Sequence, residues 1–290
     1  FFCAAGWSLA YPLIKLGYVQ LHIASDDLGS KIGFAGIRFL FAGILVTILA
    51  IIQKRKFKVE QKSVVAWLLL FALVNTALHY LFSYVGLGYL PSSRSTILDS
   101  MNGFFAIILS CIIFEDDKFS KFKALGCILG FSGILLINIE PGQNFFQGIS
   151  FRGDGMILLN AMCGAFGGII TRIISKKMDM TVATSLSMTI GGAFLCVVSA
   201  IIGPAARWTI TTESIIIMIG LILISAVCFG VYNQLLAYHP ISKIAIFNAF
   251  IPILGVIFSS IILGEPMRVK YIIAGCMVAL GVYVMNHFSK

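Results

Sequence analysis

Five charged or titratable side chains interrupt long apolar runs in the first half of this 290-residue chain: Lys15, Arg38, His79, Arg94 and Asp99. Two more, Arg172 and Lys243, do so in the second half. A charge held inside hydrocarbon is costly on every scale, so each of these is a functional candidate by default. Asp99 is the most telling, because it is the one acid well inside an apolar run. A lone carboxylate there is a handle for a proton or for a cationic group on a substrate. It would serve a purely structural role only if Arg94, Arg38 or Lys15 neutralised it. The other charges have simpler readings beside the functional one. Lys15 and Arg38 lie near helix ends and can snorkel to headgroups. Arg94 follows Pro91-Ser92-Ser93 and can anchor an interface, and Arg172 sits beside Lys176 and Lys177 as a signal of orientation.

Neutral polar groups accompany the charges. His79 and Tyr80, with Asn75 one turn earlier, give one apolar run a polar face, and Tyr232, Asn233 and Gln234 do the same for another. Facing lipid would be costly, so these groups are expected to face inward, as pathway or as helix–helix contacts. The candidate substrate-binding set is Lys15, Arg38, His79, Tyr80, Arg94, Asp99, Tyr232, Asn233 and Asn248. Tyr80, Tyr84, Tyr232 and Tyr238 could offer amphipathic surface to an amino acid. Trp7 and Tyr11, one turn apart, are read as packing. The excess of positive charge along such a pathway argues against simple cations and for zwitterions or anions.

Other chemistry is not written here. The chain has no Gly-x-x-x-x-Gly-Lys, no His-Glu-x-x-His and no Gly-x-Ser-x-Gly, so no ATP-binding, zinc-hydrolase or serine-nucleophile motif. No enzyme activity and no cofactor are expected. Glu115-Asp116-Asp117 lies at a run's end among lysines and reads as a solvated turn, not a metal site. The seven cysteines all lie in apolar runs with no Cys-x-x-Cys, as small buried residues do.

These groups need a scaffold, and composition names its class. The chain is 59% hydrophobic and 11% charged, against about 25% charged for a soluble domain. It is an integral membrane protein by composition. The formal charge of +9 sits in short loops, which points to membrane orientation rather than nucleic acid. Apolar runs of roughly 20 residues are the unit that crosses a bilayer. Ten are expected, over 1–21, 33–52, 64–86, 92–114, 121–139, 154–174, 181–202, 213–237, 243–263 and 269–287. The chain begins at Phe1, and a few N-terminal residues are expected to be missing. Residues 1–21 carry Lys15 mid-run and no small-residue cleavage site, so they read as a membrane helix, not a cleavable signal.

The loops set an orientation. Lys54, Arg55, Lys56, Lys58 and Lys62, then Lys118, Lys121 and Lys123, then Arg172, Lys176 and Lys177 crowd the even-numbered connections. The odd ones hold Lys31, Arg152 and Arg207, with Arg268 and Lys270 in the ninth against the trend. Both termini are therefore expected in the cytoplasm. No connection is long enough for a soluble domain.

The chain also repeats itself. Moved forward by 149 positions, Leu87–Cys127 meets Leu236–Cys276 without a gap. Leu87, Tyr89, Pro91, Ser93, Lys121, Gly126 and Cys127 fall on residues of the same type, Arg94 falls on Lys243, Asp99 on Asn248 and Asp116 on Glu265. The turn-forming stretch Ile139-Glu140-Pro141-Gly142-Gln143-Asn144 divides the chain into 1–139 and 153–287. Five spans per half is odd, so the second half must enter the bilayer upside down. The expected fold is an all-α membrane protein of ten transmembrane helices, as two inverted five-helix repeats. Gly126-x-x-x-Gly130 and Gly164-x-x-x-Gly168 would allow close helix approach. Gly103 and its repeat-mate Pro252 would weaken both central helices at one depth.

This pattern resembles the drug/metabolite transporter superfamily, in particular its ten-helix members with two EamA domains. Trp7 with Lys15, Gly36-Ile37-Arg38-Phe39-Leu40, Leu263-Gly264-Glu265-Pro266 followed by Gly275 and Gly281, Phe114-Glu115-Asp116-Asp117 followed by Gly126 and Gly133, and Gly153-Asp154 carry the resemblance. The family often has proline in the middle of both the fourth and ninth helices; here the fourth has Met101-Asn102-Gly103 instead. The resemblance implies alternating access through a central cavity in the cytoplasmic membrane, and export of amino acids or other small metabolites. Lys15 and Arg38 match family positions. The alternatives are a nucleotide-sugar or phosphorylated-metabolite exchanger using Lys15, Arg38 and Arg94, then a multidrug efflux carrier, then a non-transporting membrane enzyme or scaffold. The expected partners are a small-molecule substrate and the bilayer; the sequence sets no oligomeric state.

Overall fold

A computed structural model of the chain describes residues 1–57, 62–113, 119–138, 149–203, 208–238, 247–248 and 250–287. Lys58, Glu115-Asp116-Asp117, Lys118, the 139–144 turn, Arg207, Pro240, Ser242 and Lys243 lie outside the described residues.

The described residues are helical almost throughout, with no strand. In chain order the helices are α1 (Phe2–Gln20), α2 (Leu28–Ile52), α3 (Ser63–Leu87), α4 (Ser92–Ile113), α5 (Lys121–Asn138), α6 (Phe151–Ile174), α7 (Met180–Ile202), α8 (Thr212–Tyr238), α9 (Phe250–Leu263) and α10 (Val269–His287). Six of them, α2, α3, α4, α6, α7 and α8, are long and apolar enough to cross a membrane, and Phe250–Leu263 and Val269–Met285 are shorter apolar helices.

Local chemistry explains where several helices begin. α2 starts at Leu28, earlier than the apolar run alone suggests, because Asp27 accepts from the Ser30 N–H at 2.9 Å and caps it. Lys31 therefore lies inside the helix and is fully buried, not in a loop. α6 starts with a π-helical turn, Phe151–Gly155. There the Ser150 side chain accepts from Gly153 N–H, and Asp154 accepts from Ser150 N–H at 2.9 Å. That is a capping box stretched by the extra residue of the wide turn. α3 carries a second π-helical stretch, Ala72–Leu78, which ends at His79. The break in α4 falls at Ser100, between Ser92–Asp99 and Met101–Ile113, and not at Gly103.

Packing runs mostly between the two halves of the sequence. α2 lies along α7 and α5 along α10; α1 packs on α8 and α9, and α6 on α3 and α4. A Cβ on Gly43 would come 2.5 Å from the Thr189 backbone nitrogen, and one on Gly192 would collide with the backbone of Leu40. Glycine is required there because the two backbones touch, which is how helices associate where solvent gives no hydrophobic drive. A Cβ on Gly126 would likewise come 2.5 Å from the Gly281 carbonyl oxygen. The Gly164-x-x-x-Gly168 pair does not: a Cβ on Gly168 would meet nothing within 4 Å. It faces open space, and that space is the centre of the molecule.

Candidate functional site: the central cavity

Helices α1, α2, α3, α4, α6 and α8, with Asn248 and Ile251, surround a cavity of about 1110 Å³, its open mouth included. At its floor, Asp99 is the last residue of the first segment of α4, directly before the break at Ser100. Asn160 of α6 donates Nδ2–H to the Asp99 carboxylate at 2.5 Å. The Tyr11 hydroxyl of α1 is a second neutral neighbour of Asp99, and both line the cavity. Both partners are neutral, and among the described residues no ion pair engages Asp99. Tyr11 and Asn160 stand 149 positions apart, so the two neutral neighbours of the carboxylate, one of them its hydrogen-bond donor, come from matching positions of the repeat. Neither was singled out as a site residue from sequence; the repeat register was the signal that could have found them.

Arg38 is the cavity's cation. It is 1% exposed and does not snorkel. Its Nε donates to Ser225 Oγ at 2.7 Å and to the Leu221 carbonyl at 3.2 Å, and its Nη1 donates to the Tyr84 hydroxyl at 3.0 Å. No described residue takes a hydrogen bond from Nη2. The guanidinium lies beside the faces of Phe39 and Tyr80, which stack at 3.7 Å between centroids.

The remaining polar candidates divide. His79 lines the cavity, and its Nδ1 donates to the Asn160 carbonyl at 3.0 Å, so this histidine braces the residue that holds Asp99. Tyr80, Tyr232, Asn233 and Asn248 also line it. Asn248 donates to the Tyr232 hydroxyl at 3.0 Å, and Asn233 donates to Thr184 Oγ1 of α7 at 2.9 Å. Trp7, read as packing from sequence, lines the cavity too, edge-on to Tyr232 at 4.7 Å. Lys15 and Arg94 are not on the cavity wall. Arg94 is paired with Asp154 of α6, Nη2 to Oδ1 at 2.6 Å and Nε to Oδ1 at 2.8 Å.

The cavity is thus one carboxylate and one guanidinium set in an aromatic and amide-lined wall. Two stretches, residues 1–139 and 151–287, each match the model of the EamA-like transporter family. The chain belongs to that family. Its EamA-like relatives among curated proteins include the uncharacterized transporter YvbV of Bacillus subtilis (strain 168), 26% identical over 288 residues, covering 98% of this chain and 89% of that protein. The WAT1-related protein At3g02690, chloroplastic, of Arabidopsis thaliana is 25% identical over 261 residues, covering 87% of this chain and 62% of the other. A crystal structure superposes with a TM-score of 0.70 at 12% identity, over 99% of this chain and 97% of that one, and so shares the fold. The EamA-like membership makes this a multi-pass membrane protein of a transporter family.

Proposed function

We propose that the chain is a secondary carrier that moves small zwitterionic metabolites, amino acids among them, across the cytoplasmic membrane by alternating access. Export is the direction the family resemblance suggests. The observation that carries the substrate class is the pairing inside one cavity of Asp99, with only neutral partners, and Arg38, with Nη2 free of partners among the described residues. A carboxylate meets the ammonium end of a zwitterion, and a guanidinium meets its carboxylate. The phosphorylated-metabolite alternative fits less well. It needs several cations on the substrate, while Lys15 and Arg94 stand off the cavity wall.

The architecture we infer is ten transmembrane helices in two inverted five-helix repeats, with both termini in the cytoplasm. Side-chain contacts support it. Under the 149-position shift Gly43 and Thr189 correspond to Gly192 and Leu40, and both pairs touch. Likewise Arg38 and Ser225 correspond to Ser187 and Thr76, and both pairs are hydrogen-bonded, at 2.7 Å and 3.0 Å. Two families of contacts that exchange under one shift are what a two-fold axis produces, and an odd number of spans per half would put that axis in the membrane plane.

The test is thermal unfolding of the purified protein in detergent with amino acids, nucleotide sugars, sugar phosphates and cationic drugs. A ligand at a hundredfold excess over its dissociation constant stabilises by about 2.7 kcal/mol. Amino acids are expected to raise the melting temperature, and the shift is expected to vanish in Asp99→Asn and in Arg38→Gln. A shift with phosphorylated ligands alone, or an amino-acid shift that survives both substitutions, overturns the reading.

A further inference from the structure

We propose that Glu265 is a latch that holds one end of the transport pathway shut, and that it must release α4 for the cavity to open at that end. The proposal rests on the carrier reading above. It concerns a residue outside the cavity, at the turn between α9 and α10.

α4 begins with an unusual need. Its cap position is Pro91, which has no side-chain acceptor, so the first N–H groups of the helix have no local partner. Glu265 supplies the cap from the other half of the chain. Its Oε1 accepts from Ser92 N–H at 2.7 Å, and its Oε2 accepts from Ser93 N–H at 3.0 Å and from the Ser93 hydroxyl at 2.6 Å. A negative charge at a helix N-terminus is also favoured by the helix dipole. The preceding residue makes the reach possible. Gly264 ends α9 at φ +64°, in the left-handed region that favours glycine. Two further bonds cross at the same end: Ser259 Oγ of α9 to Ser92 Oγ at 2.9 Å, and the Arg94–Asp154 pair between α4 and α6.

This cluster closes over an apolar plug. Tyr18 donates to the Tyr84 carbonyl at 2.8 Å, Phe34 packs edge-on against Tyr84 at 5.7 Å, and Leu87 is fully buried beside them. The cavity stops below that plug and extends the other way, past Asn75, Gly168 and Thr171. Access from the plugged end requires α4 to part from α6 and from the α9–α10 turn. The bonds that part are of a kind water replaces: a carboxylate, helix N–H groups, hydroxyls and a guanidinium all rehydrate on separation. A seam of such bonds is firm while dry and inexpensive to open when wetted. Lys15 of α1 interacts electrostatically with Glu265, so the carboxylate has a cation within range on a third helix.

The experiment needs no substrate. The seven native cysteines are replaced, and Ala106→Cys is placed on the cavity wall as a reporter. An impermeant thiol reagent is then offered to right-side-out and to inverted vesicles. The unmodified latch is expected to give fast labelling from one side and slow labelling from the other. Glu265→Gln is expected to raise the slow rate about tenfold or more and to lower the fast one. Ser93→Ala, which removes one of the three bonds and no charge, is expected to raise it about twofold to fivefold and serves if Glu265→Gln does not fold. Unchanged rates in both variants overturn the latch, and so does an equal rise from both sides, which reads a loosened fold. Intact amino-acid binding with unchanged labelling sinks the latch alone. Altered labelling without amino-acid binding sinks the substrate reading alone.

Discussion

The two ends of the helix bundle are built differently. At one end, the C-terminal turns of α1 and α3 meet the N-terminal turns of α2, α4 and α6 and the turn after α9. Buried Lys31 donates to the Ser25 carbonyl under Tyr89, Glu265 caps α4, and Arg94 pairs with Asp154. At the other end the ion pair among the described residues, Arg55 with Asp179 at 3.4 Å, is far more exposed, Asn233 donates to Thr184, and the cavity runs toward that end past Gly168. A bundle with repeated halves has no reason in its sequence pattern to differ so at its ends. In the proposed carrier, a conformation open at one end must break the symmetry, because both ends cannot be open at once. In the proposed carrier, the buried charged contacts of the first end would do the closing, and Gly168 leaves room where the cavity widens.

Breaking the closed end costs most. Asp154→Ala removes the carboxylate of the part-buried pair with Arg94 and is expected to destabilise by about 3–5 kcal/mol in thermal unfolding. The double change Arg94→Met with Asp154→Leu is expected to recover most of that loss, and a double variant as unstable as Asp154→Ala would refute the pairwise account. Next comes the seam between the halves. Gly43→Ala forces a methyl into the Thr189 backbone and is expected to cost about 1–3 kcal/mol, whereas Gly168→Ala, at the open end, is expected to change stability by less than about 0.5 kcal/mol. Equal losses at the two glycines would mean that the cavity is filled in solution. A comparably small effect belongs to the neutral contact between α7 and α8. Thr184→Val removes the Asn233 bond and is expected to cost about 0.6 kcal/mol, the average for such bonds between membrane helices. A loss above about 2 kcal/mol would place Asn233 in a larger network.

Much of the frame was legible in the residues. The apolar runs located the helices within a few residues, because hydrocarbon forces every backbone group into an internal bond and leaves helix as the local solution. α2 was an exception: its polar first turn, capped by Asp27, looks like a loop in hydropathy, and Lys31 went with it, while α9 begins at Phe250 rather than at the expected 243, with 243–246 outside the described residues. Asp99, Arg38, His79, Tyr80, Tyr232, Asn233 and Asn248 were each visible as polar interruptions, and all seven line one cavity. Lys15 and Arg94 looked the same in sequence and do not. Polarity within an apolar run reports that a group is expensive to bury; it does not report which neighbour meets it.

That division holds for the whole chain. By itself the sequence determined a helical membrane protein with a repeat, since composition and periodicity act locally and need no partner to be read. Only the tertiary structure decided that Asn160 holds Asp99, that Asp154 pairs with Arg94 off the cavity wall, and that Glu265 caps a helix starting 173 positions earlier. Those are contacts between distant segments. Their energies depend on distance and direction, which no local pattern encodes.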